Sequence, residues 1–379
     1  MKQYLCSKQV FVDGKFIEAS LEFDDGKITN ILEYGLGEDF GEKRIIPGLI
    51  DIHTHGGYGC ESNDVNYEAT KKWLASLPSE GTTSLLISPY TAPMKVMQKG
   101  IQLVDDIMKE ENPVTVLGSH LEGPFISIET PQYKGAMRDY CALQPTVDNY
   151  KEIVGDCKSV KLMTMACELD GAFEVMDYLK DTNTVITNGH SGLCYEKGLE
   201  ALKHGLKGFT HTFNAMRSIH HREVGTAGCS LLFDDCYSEA ICDGYHVSFP
   251  ALRLIFKCKP KDKVILVTDS LAIKGMPEGI YELDHSKIEM RNGCAYLLGT
   301  DHLSGSTLTM MQCVKNVVEQ CDVPVEDAVL AASTNPASYL GVEKTKGKIA
   351  IGNDADMVVI DDAFNVLRTY HKGTVVYVK

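Results

Sequence analysis

Imidazole and carboxylate side chains end several short apolar runs of this sequence. His53 and His55 end one run, and alternation along an extended strand places their side chains on the same face. Such a pair alone is weak evidence, because two histidines at this spacing occur by chance in many chains. Glu122, His190 and His211 end three later runs. Nitrogen and carboxylate-oxygen ligands without sulfur suit Zn, Fe(II), Mn or Co in a site that keeps a bound water. Together these residues predict a divalent metal centre.

The chemistry expected of such a centre is hydrolysis. A divalent cation lowers the pKa of its bound water from 15.7 toward ~7, which gives a hydroxide nucleophile at neutral pH, and it also polarises a carbonyl oxygen. Asp269, at the end of the last apolar run, is suited to act as a general base and then as a general acid toward a leaving amine. Asp269 also suits a metal ligand, and the two roles do not exclude each other.

Eight β-branched runs alternate with segments of helical spacing through the middle of the chain. This alternation predicts an α/β fold, a (β/α)8 TIM-like barrel with the residues named above at the carboxyl ends of its strands. An open doubly wound sheet is the alternative, which the number of strands does not exclude. The predicted strands are residues 45–53, 82–89, 114–121, 159–167, 184–189, 206–210, 238–243 and 263–268. The predicted helices are residues 67–77, 94–109, 172–179, 195–204 and 249–257.

Both ends of the chain differ from its middle. They show short alternating strands with turn signals such as Asp13-Gly14 and Lys372-Gly373, and domain termini tend to lie close together at the surface. We therefore expect residues 1–46 and 342–379 to form one small β domain, with the metal-dependent catalytic barrel at 47–341.

The composition and net charge of the chain indicate which kinds of molecule it is expected to bind. The chain has 379 residues, of which 44% are apolar and 23% charged, as in ordinary folded proteins. Its 37 basic and 52 acidic residues leave a net charge of −15, which repels nucleic acids and anionic membranes. We therefore expect a small-molecule substrate and neither of those partners.

Cysteine usage and hydropathy predict a cytoplasmic location. The 13 cysteines are odd in number and scattered, without a Cys-x-x-Cys pair, which predicts reduced, mostly buried thiols rather than disulfides. The first residues lack the apolar core of a signal peptide, and no stretch of the sequence reaches the ~18 apolar residues of a membrane span.

Longer motifs surround these residues and give a resemblance that covers nearly the whole chain. The sequence resembles the N-acetylglucosamine-6-phosphate deacetylases of the amidohydrolase superfamily. The segments that carry the resemblance are residues 47–59, 120–125, 189–191, 210–216, 220–223, 243–246, 268–270, 303–308, 335–337, 346–349 and 354–356. The segment at 47–59 is shared with the wider superfamily, whereas those at 120–125 and 214–216 are more particular to these deacetylases.

The resemblance implies a role for each matching residue. Glu122, His190 and His211 would hold the principal metal, and His53 and His55 could help to hold a second. Asp269 would be the catalytic acid and base. The positions that match the family's substrate contacts are Asn214, Ala215, Arg222, His246 and Leu303, with Arg222 and His246 reaching the sugar phosphate across a homodimer interface. The implied reaction is hydrolysis of N-acetylglucosamine 6-phosphate, or of a 6-phosphorylated epimer, to acetate and the amino-sugar 6-phosphate, with Zn preferred over Fe, Mn or Co.

Met137 departs from the family pattern. The family has His or Gln after Lys-Gly-Ala, and a thioether cannot donate a hydrogen bond to a substrate oxygen as those side chains do. Either Met137 marks an altered substrate-binding position, or it only packs a lid over the site.

Two other functions stay open from the sequence. A cyclic-amide hydrolase of the same superfamily commonly bridges two metals with a carboxylated lysine, whereas this chain has Glu122 at the corresponding position. A non-catalytic barrel homologue is the second alternative, although such relatives usually lose the metal ligands that this chain keeps. The sequence does not determine the gluco or galacto epimer, or whether one or two metals bind.

Overall fold

Strands dominate the two ends of the chain and alternate with helices between them in the computed structural model, which describes residues 2–283 and 286–379. The strands are β1 (Gln3–Val12), β2 (Lys15–Asp24), β3 (Lys27–Leu32), β4 (Glu38–Asp39), β5 (Arg44–Pro47), β6 (Leu49–Asp51), β7 (Gly56–Gly57), β8 (Cys60–Glu61), β9 (Thr82–Ile87), β10 (Thr115–Glu122), β11 (Val160–Met165), β12 (Val185–Asn188), β13 (Leu206–Phe209), β14 (Tyr237–Ile241), β15 (Val264–Val267), β16 (Gly279–Leu283), β17 (Ser286–Arg291), β18 (Cys294–Leu297), β19 (Met357–Ile360), β20 (Val366–His371) and β21 (Thr374–Val378). The α-helices are α1 (Tyr67–Ser76), α2 (Met94–Ile107), α3 (Pro131–Lys134), α4 (Val147–Val154), α5 (Ala172–Leu179), α6 (Tyr195–Lys203), α7 (Gly225–Leu232), α8 (Phe249–Cys258), α9 (Met310–Cys321), α10 (Val325–Ala332) and α11 (Thr334–Tyr339). Single-turn 3-10 helices lie at Ser62–Asp64, Leu77–Glu80, Asp139–Cys141 and Lys261–Lys263.

Eight parallel strands form the barrel, in the spatial order β15-β14-β13-β12-β11-β10-β9-β6. This order never reverses along the chain, as it would in an open doubly wound sheet. The ends of β15 and β6 meet through backbone hydrogen bonds, in which Asp269 N donates to His53 O over 2.8 Å and His55 N to Ser270 O over 2.9 Å. The predicted fold class is confirmed.

The first predicted strand, residues 45–53, is wrong in its continuity. The run divides at Gly48, so that β5 pairs with β19 in the terminal sheet and β6 pairs with β9 in the barrel. A Cβ at Gly48 would lie 2.1 Å from Thr83 Oγ1, which explains the glycine at this crossing point. The unbroken β-branched character of the run conceals the change of sheet.

A second sheet combines both ends of the chain, in the order β21-β20-β19-β5-β1-β2-β3 with β4 beside β1. The two ends meet where β19 runs antiparallel to β5, with Val358 opposite Ile46. Its core includes Leu21, Phe23 and Met357, all buried. The exact domain bounds 1–46, 47–341 and 342–379 stay a prediction.

A three-stranded antiparallel sheet, β16-β17-β18, follows the last barrel strand. This sheet was not predicted from the sequence. Asn292 and Gly293 join β17 to β18 with positive φ angles of 51° and 72°, which is the pattern of a type I′ hairpin turn. The Asn-Gly pair is the sequence signal that could have revealed this hairpin.

Amphipathic helices cover the barrel. On α2, the buried residues Met97, Ile101 and Val104 recur at helical spacing, so one face packs inward while the other meets solvent. Across residues 2–283 and 286–379, no helix combines the length and the apolar character needed to cross a bilayer.

Candidate active site

Three side chains converge at the carboxyl ends of the barrel strands. Glu122 is the last residue of β10, and His190 and His211 follow the ends of β12 and β13 by two residues each. His190 Nε2 and His211 Nε2 each lie 3.1 Å from Glu122 Oε1, and the two nitrogens are 3.3 Å apart. All three residues are buried. The structure therefore brings together the three residues expected to hold the principal metal.

The backbone around these residues is held in sparsely populated conformations. His190, His211 and Asp269 have positive φ angles of 52°, 34° and 50°, which are uncommon for residues other than glycine and cluster at functional sites. Glu168 fixes the His190 loop, because its carboxylate accepts hydrogen bonds from Ser191 Oγ at 2.7 Å and Gly192 N at 2.5 Å.

His53, His55 and Asp269 form a second group beside the first. His55 Nε2 lies 3.0 Å from Asp269 Oδ1 and 3.4 Å from Glu122 Oε2. His53 Nε2 lies 3.6 Å from Glu122 Oε1 and 3.7 Å from Asp269 Oδ1. His53 and His55 lie two and four residues beyond the end of β6, outside the strand whose alternation was expected to align them, and both imidazoles nevertheless approach Glu122 and Asp269.

The electrostatics of the second group reflect buried charges at close range. Burial opposes protonation of both histidines, but nearby carboxylates outweigh it. Asp269, Glu239 and Glu122 raise the pKa of His53 to about 9, and Asp269 and Glu122 raise the pKa of His55 to about 10. Burial also opposes ionisation of Asp269, yet His53 and His55 lower its pKa to about 2. Asp269 is therefore ionised at neutral pH.

The residues present fit divalent cations. His53 Nε2 and Glu122 Oε2 are buried without a hydrogen-bond partner in the part of the chain that the structure describes, and leaving buried polar atoms unsatisfied is costly. Both atoms face the two groups described above. The ligand atoms of each group lie within 4.8 Å of one another, and their nitrogen and oxygen chemistry suits Zn and its neighbours.

Two buried residues that contact His53 were not singled out from the sequence. Glu239 lies inside the barrel on β14, with Oε2 3.0 Å from His53 Nδ1. His120 contacts the ring of His53 with a centroid separation of 4.4 Å. The alternation of apolar and polar residues along a strand predicts that both side chains are buried. It does not predict that the carboxylate of Glu239 contacts His53 across the barrel.

The residues predicted to contact the substrate lie in several different segments of the structure. Asn214 and Ala215 lie three and four residues beyond His211, half-buried, and Ala215 has a positive φ of 50°. A Cβ at Gly135 would lie 3.2 Å from His190 Cε1, so the half-buried Met137 belongs to a segment that reaches the His190 ring. Leu303 pairs with Tyr296 of β18.

His246 and Arg222 differ in their surroundings. His246 Nδ1 lies 2.6 Å from Asp243 Oδ2. Burial opposes protonation of this imidazole, but Asp243 and Asp269 raise its pKa. Arg222 is exposed in the turn between His220 and Glu223, and the structure does not bring it into the buried cluster.

The sequence model described as "Amidohydrolase family" matches residues 44–376. An N-acetylglucosamine-6-phosphate deacetylase from Vibrio furnissii is 30% identical over 378 residues, which cover 99% of this chain and 92% of that protein. The chain belongs to this deacetylase family of amidohydrolases. This membership agrees with the resemblance found from the sequence motifs.

Other relatives are named as deacetylases of the gluco or the galacto phosphosugar. A Bos taurus N-acetylglucosamine-6-phosphate deacetylase is 34% identical, covering 89% of this chain and 85% of that protein. An Escherichia coli O157:H7 N-acetylgalactosamine-6-phosphate deacetylase is 30% identical, covering 95% of each. A mutant deacetylase from Mycobacterium smegmatis, solved in complex with N-acetyl-D-glucosamine 6-phosphate, aligns with a TM-score of 0.92 at 28% identity over 99% of both chains.

Proposed function

We propose that this amidohydrolase removes the acetyl group from N-acetylglucosamine 6-phosphate, or from its galacto epimer, to give acetate and the amino-sugar 6-phosphate. The observation that carries the proposal is the convergence of Glu122, His190 and His211 within 3.1–3.3 Å, beside the ionised Asp269. The deacetylase relatives, which match over nearly the whole chain, support the substrate class.

Two sets of residues would hold divalent cations. Glu122, His190 and His211 would hold the principal ion, and His53, His55 and Asp269 would hold a second. Zn is the preferred ion, with Fe, Mn and Co also compatible with these ligands. When bound, such an ion lowers the pKa of water and polarises the amide carbonyl.

Asp269 would move the proton during hydrolysis. As a carboxylate with a pKa of about 2, it is ready to accept a proton from the attacking water. It would then deliver that proton to the amine nitrogen as the C–N bond breaks. The backbone hydrogen bond from Ser306 N to Asp269 O, 2.8 Å long, holds the residue in place.

Cationic and polar groups around the centre would hold the phosphorylated sugar. His246 is suited to a phosphate because Asp243 stabilises its charged form. Asn214, Ala215 and Leu303 would contact the sugar. Arg222 is exposed, and we propose that it reaches the phosphate of a second copy in a homodimer. The remote phosphate would fix the amide against the metal residues, so that binding energy orients the reacting group.

A cytoplasmic location is part of the proposal. The 13 cysteines form no disulfide among the described residues, and most of them are buried, as expected of a protein in a reducing compartment.

Release of the amino sugar tests the proposed function. The full chain, loaded with Zn²⁺, is incubated with both 6-phosphorylated epimers and with unphosphorylated N-acetylglucosamine, and free amine is measured. We expect turnover of at least one phosphorylated epimer and much weaker turnover of the unphosphorylated sugar. Equal rates with and without phosphate would refute the substrate assignment, and no amine release from any of the three would refute the deacetylase activity.

A further inference from the structure

A buried carboxylate beneath the active site contacts both groups of metal-binding residues. Glu239 on β14 is 1% exposed. Its Oε2 lies 3.0 Å from His53 Nδ1 and 3.3 Å from the backbone N of His211. We infer that Glu239 is a positioning residue that orients His53 as a ligand and thereby enables this chain to bind a second divalent cation. The inference rests on the proposed metal-binding role of His53, His55 and Asp269.

The hydrogen bond to Glu239 determines how His53 meets the site. With an ion bound, His53 would be a neutral imidazole whose one ring proton lies on Nδ1 and is donated to Glu239, which leaves the lone pair of Nε2 facing Glu122 and Asp269. His55 and His190 are oriented differently, since their Nδ1 atoms donate to the carbonyl oxygens of Ser88 and Tyr133. A charged partner raises the basicity of an imidazole ligand more than a neutral carbonyl does.

A third cation at Glu239 itself would be the competing explanation. His53, His120 and Glu239 do bring their ligand atoms within 4.8 Å of one another. His120, however, has both ring nitrogens engaged, Nδ1 with Ile52 O at 2.9 Å and Nε2 with Thr164 Oγ1 at 2.7 Å. His120 therefore lacks a free lone pair for an ion, and Glu239 acts through His53.

Three buried carboxylates, those of Glu122, Asp269 and Glu239, lie around the same histidines. Their ion pairs within the described residues are with histidines and include no lysine or arginine. The charged partners of these carboxylates are therefore imidazoles, and a carboxylate that holds an imidazole is the usual arrangement for orienting a histidine toward a metal ion.

Metal stoichiometry tests the role of Glu239 without an activity assay. The full chain is stripped with a chelator and dialysed against buffered Zn²⁺, and bound zinc per chain is measured by mass spectrometry of the elements. We expect two ions in the wild type and one in Glu239→Gln at the same free Zn²⁺, with affinity for the second ion weakened about 10–100-fold. Glu239→Asp, which keeps the charge, should recover part of that affinity.

A matched control separates this effect from disturbance of the core. Tyr339 is buried near Glu239 and is not among the proposed metal ligands, so Tyr339→Phe, which removes one buried hydroxyl, should keep both ions. The inference is overturned if Glu239→Gln binds two ions with wild-type affinity, if it loses both ions equally, or if the wild type binds only one. If Glu239→Gln does not fold, as judged by circular dichroism, Glu239→Asp is judged by the same criterion of selective weakening of the second ion. Zinc content does not depend on amine release, so failure of the proposed deacetylase activity stays distinguishable from failure of this inference.

Discussion

At the scale of single residues, Met137 is a position where the sequence departs from the motif expected of the family. It belongs to a segment that reaches the His190 ring through Gly135, but its thioether donates no hydrogen bond. We predict that Met137→His raises kcat/KM on N-acetylglucosamine 6-phosphate tenfold or more, since one donor to a developing oxyanion contributes about 2.7–4 kcal/mol. Met137→Leu, which keeps the apolar character, should leave the rate near that of the wild type. An unchanged or lower rate for Met137→His would show that the residue only packs over the site.

Substitution of Asp269 tests its proposed role in proton transfer. We predict that Asp269→Asn lowers kcat by about 10²–10⁴, because the amide cannot accept the proton of the attacking water. The ion held by Glu122, His190 and His211 should remain, as zinc analysis would show. Asp262→Asn, in the 3-10 helix Lys261–Lys263 where Asp262 is exposed, is the control with the same chemical change. Activity of Asp269→Asn within tenfold of the wild type would rule out the proton-transfer role.

The residues at the rim of the site can be predicted from the sequence more readily than Glu239, which supports them from inside the barrel. His53, His55 and Glu122 lie at or just after the ends of recognisable apolar runs, so their placement at one rim follows from barrel topology. Glu239 lies within a strand, where its burial is predictable but its partner is not. The contact with His53 joins residues 186 positions apart, and such a contact depends on the stagger of strands around the barrel.

At the scale of elements, β20 contacts the barrel through a buried imidazole. His371 Nε2 lies 2.9 Å from Thr115 Oγ1, and the same hydroxyl accepts a hydrogen bond from Lys346 Nζ at 2.8 Å. The hydroxyl that accepts from Lys346 keeps its own proton, which it can donate to Nε2 of a neutral His371. Burial, reinforced by Lys346 and Lys372, lowers the pKa of His371 to about 4.

This depressed pKa predicts a pH dependence of stability. The unfolded chain, with a histidine pKa near 6.5, binds a proton that the folded state resists, so stability is complete above pH ~6.5 and decreases as the pH falls toward 4. We predict that His371→Gln, which can still accept from Thr115, removes up to about 3 kcal/mol of the difference in unfolding free energy between pH 7 and pH 4. Urea unfolding of both proteins at the two pH values measures this. Parallel loss of stability in both proteins would contradict the assignment.

Two features of the strands were not predicted from the hydrophobic pattern of the sequence. The break at Gly48 divides a run of residues that was predicted as one strand. The hairpin around Asn292-Gly293 lies in a part of the chain for which no strand was predicted. A change of sheet leaves no mark on hydrophobic periodicity, because both sheets bury the same β-branched side chains. The hairpin had a recognisable turn signal, whereas the break at Gly48 depends on the close approach of Thr83.

At the scale of the whole molecule, bound metal should contribute to stability. Ions that bind the folded chain but not the unfolded one stabilise it by about 2.7 kcal/mol at a hundred times Kd. We predict that removal of the ions by a chelator lowers Tm by a few degrees, and that Zn²⁺ restores it. Differential scanning calorimetry of the wild type and of His190→Ala measures the effect. The variant should show a smaller shift, and an equal shift in both would place the stabilising ion elsewhere.

The pairing of β5 with β19 joins positions about 300 residues apart. During translation, β5 is made before the first barrel strand, and its neighbour β19 is made only after the last one. Until then, that edge of β5 has no native strand beside it and can pair with other nascent chains. A chain truncated before β19 would thus be aggregation-prone even though every metal ligand had been synthesised.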